Sequence, residues 1–140
     1  MILRQRYLDK ISPFVDKPLI KVITGIRRCG KSTLMKQLIN RLTQNGISGE
    51  QIIYINRELF AFDFIRDYTD LHRYASSKAL GKFPRYYVFI DEIQEIASWE
   101  KAVASFLAEN KYDLYISGSN ARLMSSELAT LLAGRYVEFK

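Results

Sequence analysis

Residues 25–32 read G-x-x-x-x-G-K-S, and this pattern constrains the fold more than any other stretch of the chain. An apolar run rich in β-branched residues, 19–23, comes before it. After it, residues 32–39 carry apolar side chains at helical spacing. A strand, a glycine loop and a helix in this order predict a phosphate-binding loop. The alternative is a glycine turn that happens to precede a helix.

The residue types in this loop suit the phosphates of a nucleotide. Gly25 and Gly30 lack a Cβ, so the backbone can turn sharply and lie against a phosphate. Lys31 is expected at the β- and γ-phosphates, and the Ser32 hydroxyl at Mg²⁺. The predicted nucleotide-binding residues are Gly25, Ile26, Arg27, Arg28, Cys29, Gly30, Lys31, Ser32 and Thr33. For the two arginines, exposure to solvent is the competing interpretation.

Two carboxylates follow a second predicted strand. Residues 86–90 form a continuous apolar run, which is typical of a strand buried on both faces of a parallel sheet. It ends in Asp91 and Glu92, at the edge where ligands bind in open α/β sheets. This Walker B pattern predicts that Asp91 holds Mg²⁺ and that Glu92 deprotonates the attacking water. The alternative is an acidic turn after a strand.

A third strand, predicted from residue 112, ends in small polar residues. If it lies between the other two strands, Ser119 and Asn120 face the γ-phosphate and can contact the attacking water. Serine and asparagine also cap helices well. Both interpretations stay open at this point.

Composition excludes several classes of protein. With 140 residues and 48% hydrophobic residues, one domain with a real core is expected. One cysteine and one histidine exclude an internal disulfide and a Cys/His zinc cluster. The longest apolar runs are strand-sized and the first residues are charged, so we expect no membrane association and a cytoplasmic location. The net charge of +6 permits nucleic-acid binding, but the basic residues are dispersed.

Strands and helices alternate along the chain, which predicts a parallel sheet covered by helices. Besides the three strands above, a strand is predicted over 51–56 and another over 135–139. The predicted helices are 3–15, 31–44, 58–80 with an aromatic stripe including Phe60 and Phe64, 99–109 capped by Ser98, and one that starts at Ser125 or Ser126.

Three blocks together resemble the N-terminal module of prokaryotic AAA-type ATPases: IKVITGIRRCGKSTL, YYVFIDEIQEIASWE and YISGSNARLMSSELATLLAGRY. The resemblance spans nearly the whole chain. It implies an α/β P-loop three-layer sandwich with a five-stranded, mostly parallel sheet in the order 5-1-4-3-2. In that order the strand before Ser119 lies between the phosphate loop and the Walker B strand.

The same resemblance implies a reaction, ATP hydrolysis with Mg²⁺, and a set of residues for it. The implied catalytic residues are Glu92, Lys31, Asn120 and Arg135, and the implied metal ligands are Ser32 and Asp91. Arg122 is a second candidate for stabilising charge on the γ-phosphate. A surface arginine after a helix cap is the competing interpretation of Arg135.

Members of this family continue well beyond 140 residues, usually into a winged-helix and restriction-nuclease-like region. We therefore expect residues 1–140 to be the ATPase core of a longer chain. The alternative function is a slow-hydrolysing, nucleotide-gated switch that controls a C-terminal domain, a protein or a nucleic acid. The sequence does not specify the oligomeric state.

Overall fold

Five parallel strands form one sheet in the computed structural model, which describes residues 2–24, 28–119 and 134–139. The strands are β1 (Ile20–Ile23), β2 (Ile52–Asn56), β3 (Tyr86–Asp91), β4 (Tyr112–Ser117) and β5 (Tyr136–Phe139). Their order is β2-β3-β4-β1-β5, and every neighbouring pair is parallel. This is the predicted order read from the other edge, so the fold prediction is confirmed.

Four α-helices cover the sheet in the described part of the chain. They are α1 (Ile2–Ile11), α2 (Arg28–Gln44), α3 (Tyr68–Lys78) and α4 (Trp99–Glu109). Helices α1 and α2 contribute to one apolar cluster, and α3 and α4 contribute to the other. The helices found in the described residues are too short or too polar to cross a bilayer.

Successive residues of each strand point to opposite faces, so both faces need apolar side chains. On β3, Val88 and Ile90 belong to the cluster under α3 and α4. Tyr87 and Phe89 belong to the cluster under α1 and α2. The ring of Phe89 stacks on that of Tyr115, with centroids 4.4 Å apart. Burial on both faces therefore explains the continuous apolar run in this strand.

The helix predicted over 58–80 is wrong in its first half, because α3 begins at Tyr68. Asp67 lies at the N-cap and accepts a hydrogen bond from the backbone N–H of Asp70. The Asp70 carboxylate accepts one from the backbone N–H of Asp67 in return. This reciprocal capping box fixes the start of α3, since it satisfies backbone donors that a longer helix would use internally.

The aromatic stripe predicted for that helix is not a core face. The residue Phe60 is 92% exposed and Phe64 is 54% exposed. They lie in the turns that connect β2 to α3, where residues 60–62 form one 3₁₀ turn. Only the part of the stripe within α3 is buried, at Leu71 and Ala75.

One other helix start and one predicted cap differ from the prediction. Helix α2 begins at Arg28 and not at Lys31, so Lys31 lies in its first turn. Ser98 occupies the N-cap position of α4, but its side chain makes no capping hydrogen bond because its backbone is left-handed, with φ of 55°. The helix predicted from Ser125 or Ser126 lies outside the described residues.

A buried ion pair joins β1 to β4 near the amino ends of the strands. The ammonium of Lys21 contacts the Asp113 carboxylate, and both side chains are fully buried. The hydroxyl of Tyr115 and the backbone N–H of Asp16 donate to Asp113 Oδ2 at 2.7 and 2.9 Å. Burial lowers the pKa of Lys21 from its usual value, and Asp113 opposes that shift. This pair anchors the chain entering β1 to the core.

We expect Lys21→Met to lower the free energy of unfolding by about 3 kcal/mol, because it leaves the Asp113 carboxylate buried without a counterion. Urea denaturation measures the change. Lys82→Met is the matched control, since the Lys82–Glu50 pair is exposed and should contribute little. Equal effects of the two substitutions would contradict this account.

Candidate functional site

Polar side chains from three elements meet at the carboxyl edge of the sheet. Asp91 is the last residue of β3, and Ser117 is the last residue of β4. The register aligns Ile90 with Ile116, so these two strand ends lie side by side. Ser32, in the first turns of α2, contacts the carboxylate of Asp91. This contact places the start of α2 beside the end of β3.

The carboxylate of Asp91 is fully buried and accepts a hydrogen bond on each oxygen. Ser117 Oγ donates to Oδ1, and Ser32 Oγ donates to Oδ2. A buried carboxylate without donors is costly, so these two hydroxyls stabilise its charge. Asp91 therefore links α2 to β3 and β4.

Glu92 leaves the strand in an unusual conformation. Its φ is 57° and its ψ is 50°, which is the left-handed region. Its backbone N–H donates to Ser117 Oγ at 3.2 Å. Its Oε2 lies 3.3 Å from the ammonium of Lys31, and the two side chains are only 3% and 6% exposed. The turn thus directs the second carboxylate toward the first turn of α2.

The other oxygen of Glu92 has a separate partner. Gln94 Nε2 donates to Glu92 Oε1 at 2.6 Å. Gln94 lies in the 3₁₀ turn Ile93–Glu95, directly after the strand. Each of the two carboxylates therefore has one oxygen toward α2 and one oxygen held by a neighbouring side chain.

The start of α2 adds a favourable field to this edge. The N–H groups at the start of a helix have no partner within the helix, and in α2 they include those of residues 28–30. Together with the helix dipole they favour an anion at this point. Lys31 adds a full positive charge in the same turn. The arrangement suits a phosphate group.

The donor set fits magnesium. Ser32 and Asp91 offer a hydroxyl and a carboxylate oxygen in contact with each other, and Mg²⁺ prefers such hard oxygen ligands. Within the described residues there is no group of three or more His, Cys, Asp or Glu side chains that could hold a metal by itself. Oxygens from phosphate and water are therefore needed to complete an octahedral shell.

Several predicted residues are in the described part of the chain, and others are not. Gly30, Lys31, Ser32 and Thr33 lie in the first turns of α2. Arg28 and Cys29 begin that helix. Residues 25–27 lie outside the described residues, as do Asn120 and Arg122. Ser119 follows β4, and its buried hydroxyl has no hydrogen-bond partner among the described residues.

Arg135 lies away from the predicted site residues that the structure describes. It is exposed and directly precedes β5. Its carbonyl accepts a hydrogen bond from the backbone N–H of Ile20, the first residue of β1, at 3.1 Å. Because all strands are parallel, this position is at the amino edge of the sheet. Asp91 and Ser117 are at the carboxyl edge.

Three residues at this edge escaped the sequence-based prediction. Ser117 and Gln94 hold the two carboxylates, and Asn56 aligns with Asp91 at the end of β2. Tyr54 lies two residues before Asn56 on the same strand. Burial is the main cause that raises the pKa of Tyr54, and the charge of Asp91 is the second. Each polar residue that ends a predicted strand is a candidate for this edge, and that signal was available for Ser117 and Asn56.

Known proteins resemble the chain in sequence and in structure. It is 44% identical to an uncharacterized protein from Haemophilus influenzae over 140 residues, which is all of this chain and 35% of that protein. In structure it resembles Drosophila ORC bound to AT-rich DNA and Cdc6, with TM-score 0.63, 10% identity, and coverage of 100% of this chain and 54% of that one.

A DNA polymerase III gamma subunit-related protein from Thermotoga maritima is similar as well, with TM-score 0.64 and 11% identity over 95% of this chain and 45% of that one. At such identities the likeness concerns the fold. The family match is direct, because the family described as AAA domain matches residues 17–140. That match supports an ATPase-type function and nucleotide binding. The chain belongs to the AAA domain family.

Proposed function

We propose that this protein binds ATP and hydrolyses it with Mg²⁺. The observation that carries the proposal is the pair of contacts between α2 and the end of β3: Lys31 with Glu92, and Ser32 with Asp91. They join a phosphate-binding cation, a metal-binding hydroxyl and two carboxylates in one buried cluster. P-loop nucleotide hydrolysis uses the same set of groups.

In this proposal the start of α2 holds the phosphates. The backbone of residues 25–30 and the dipole of α2 attract the anion, while the ammonium of Lys31 neutralises the β- and γ-phosphates. Ser32 and Asp91 hold Mg²⁺, which supplies Lewis-acid stabilisation of the charge on the phosphates. The remaining proposed nucleotide contacts are Ile26, Arg27, Arg28, Cys29 and Thr33.

Glu92 is the proposed general base. It accepts a proton from the water that attacks the γ-phosphorus, the bond to the bridging oxygen breaks, and ADP leaves. Its Oε2 is buried and has no hydrogen-bond donor among the described residues besides the ion contact with Lys31. A phosphate that draws Lys31 away would leave this oxygen free to accept the proton.

The same contact favours a second candidate function, a nucleotide-gated switch. Lys31 is paired with Glu92 in the structure, and a bound phosphate competes for the same ammonium. The exchange changes the environment of Glu92 and of the turn that follows it. Slow hydrolysis coupled to this exchange would let the bound nucleotide control a partner or a further domain.

We also infer how the module is used. The chain spans 35% of the length of its Haemophilus relative, so residues 1–140 are proposed as the ATPase core of a longer protein with a winged-helix and nuclease-like region. Asn120 is proposed to sense the γ-phosphate. Arg135, at the opposite edge of the sheet, is proposed to reach the site of a neighbouring molecule.

Glu92→Gln should lower the rate of phosphate release by about 100-fold or more while ATP still binds, because the amide has the shape of the carboxylate but takes no proton. Phosphate release and nucleotide titration measure the two effects. Glu95→Gln removes the same charge three residues further on, at an exposed position, and should keep the wild-type rate. Equal rates in wild type and Glu92→Gln would refute the assigned base.

Lys31→Met should weaken ATP binding roughly 10- to 100-fold, since it removes a charge-assisted contact to the phosphates. Calorimetric titration with ATP and with ADP measures the loss. Lys36→Met, an exposed lysine on the same helix, is the matched control and should bind like wild type. Unchanged affinity after Lys31→Met would contradict the proposed phosphate site. Indistinguishable wild-type affinities for ATP and ADP would argue against the switch.

A further inference from the structure

Gln94 belongs to neither nucleotide-binding motif, yet it makes the shortest side-chain contact to Glu92 among the described residues. Its Nε2 donates to Glu92 Oε1 at 2.6 Å. Carboxylate oxygens only accept, so the amide must present its nitrogen to Glu92. The short distance is typical of a hydrogen bond to a charged acceptor.

The contact distinguishes the two oxygens of Glu92. Oε1 is bound by Gln94, and Oε2 lies 3.3 Å from Lys31. The terminal torsion of a glutamate is broad, so a carboxylate attached only through its own side chain can rotate. The hydrogen bond from Gln94 is a second point of attachment, and it fixes the plane of the carboxylate. If Lys31 moves to a phosphate, Gln94 is the side chain that still holds Glu92.

The turn that carries Gln94 is well anchored. Ile93 is fully buried in the core under α3 and α4. The backbone N–H of Ile96 donates to the carbonyl of Ile93 at 2.9 Å, and that of Glu95 donates to the carbonyl of Glu92 at 3.2 Å. Gln94 can therefore transmit the rigidity of this turn to the carboxylate of Glu92.

We propose that Gln94 is a positioning residue for hydrolysis: it holds Oε1 of Glu92 so that Oε2 is the oxygen that takes the proton from water. This inference rests on the proposed function, because it assigns the same base. The role requires an N–H donor at this distance from the backbone. It requires no contact between Gln94 and the nucleotide.

The test is Gln94→Met, which keeps the length of the side chain and removes the donor. In the full chain, kcat for ATP hydrolysis should fall roughly 10- to 100-fold because the base is misplaced. KM and ATP affinity should stay within about twofold, because the binding groups are unchanged. Gln37→Met is the matched control. Gln37 is a partly buried glutamine on α2 that belongs to none of the contacts among Lys31, Ser32, Asp91 and Glu92. The kcat of Gln37→Met should match that of the wild type.

A double-mutant cycle separates positioning from a general loss of structure. If Gln94 acts through Glu92, adding Gln94→Met to Glu92→Gln should leave the residual rate unchanged. A further fall of the same size in the double variant would overturn the proposal, as would a wild-type kcat in Gln94→Met. If Gln94→Met does not fold, Gln94→Asn takes its place, since it withdraws the donor by one methylene and the same outcomes apply.

Failure of the proposed function gives a different result. A wild-type chain that does not hydrolyse ATP, or one with the same rate as Glu92→Gln, would overturn the assignment of Glu92 and the role of Gln94 together. An active wild type that loses activity on Glu92→Gln but not on Gln94→Met would overturn the role of Gln94 alone.

Discussion

The arrangement of the site depends on one buried carboxylate. Asp91 accepts hydrogen bonds from Ser32 and from Ser117, so it connects the start of α2 to the centre of the sheet. A buried charge is tolerated only where donors surround it. Removing either hydroxyl would leave part of that charge unsatisfied, and removing that of Ser32 would also break this contact between the helix and the strand. The proposed metal site and the position of Lys31 both follow from this link.

Buried ion pairs lie at both ends of the parallel strands, and they serve different purposes. Near the amino ends, Lys21 and Asp113 are fully buried, and Asp113 has further donors. Such a pair resists change, because separating it exposes uncompensated charge to the core. At the carboxyl edge, Lys31 and Glu92 are joined by a 3.3 Å contact that lacks hydrogen-bond geometry. This second pair is the one suited to exchange partners with a phosphate.

Local patterns predicted secondary-structure elements well where every residue of the segment is buried. They predicted them poorly where buried and exposed residues alternate irregularly along the chain. The run before Asp91 indicated a central strand, because each of its residues is buried on one face or the other. Between β2 and α3, the spacing of Phe60 and Phe64 resembled a core-facing stripe, yet both side chains are exposed. Periodicity records the spacing of apolar residues and not whether a second surface covers them. The capping box at Asp67 was the better signal, since it depends on local hydrogen bonds alone.

The sequence by itself determined the alternation of strands and helices and the class of the fold, and it predicted that Lys31, Ser32, Asp91 and Glu92 lie together. These features follow from short-range spacing and from the chemistry that each residue type permits. Only the tertiary structure decided that Ser117 and Gln94 hold the two carboxylates, and that Arg135 lies at the far edge of the sheet. Those contacts depend on strand register and on the left-handed turn at Glu92, which bring together residues that no local pattern connects.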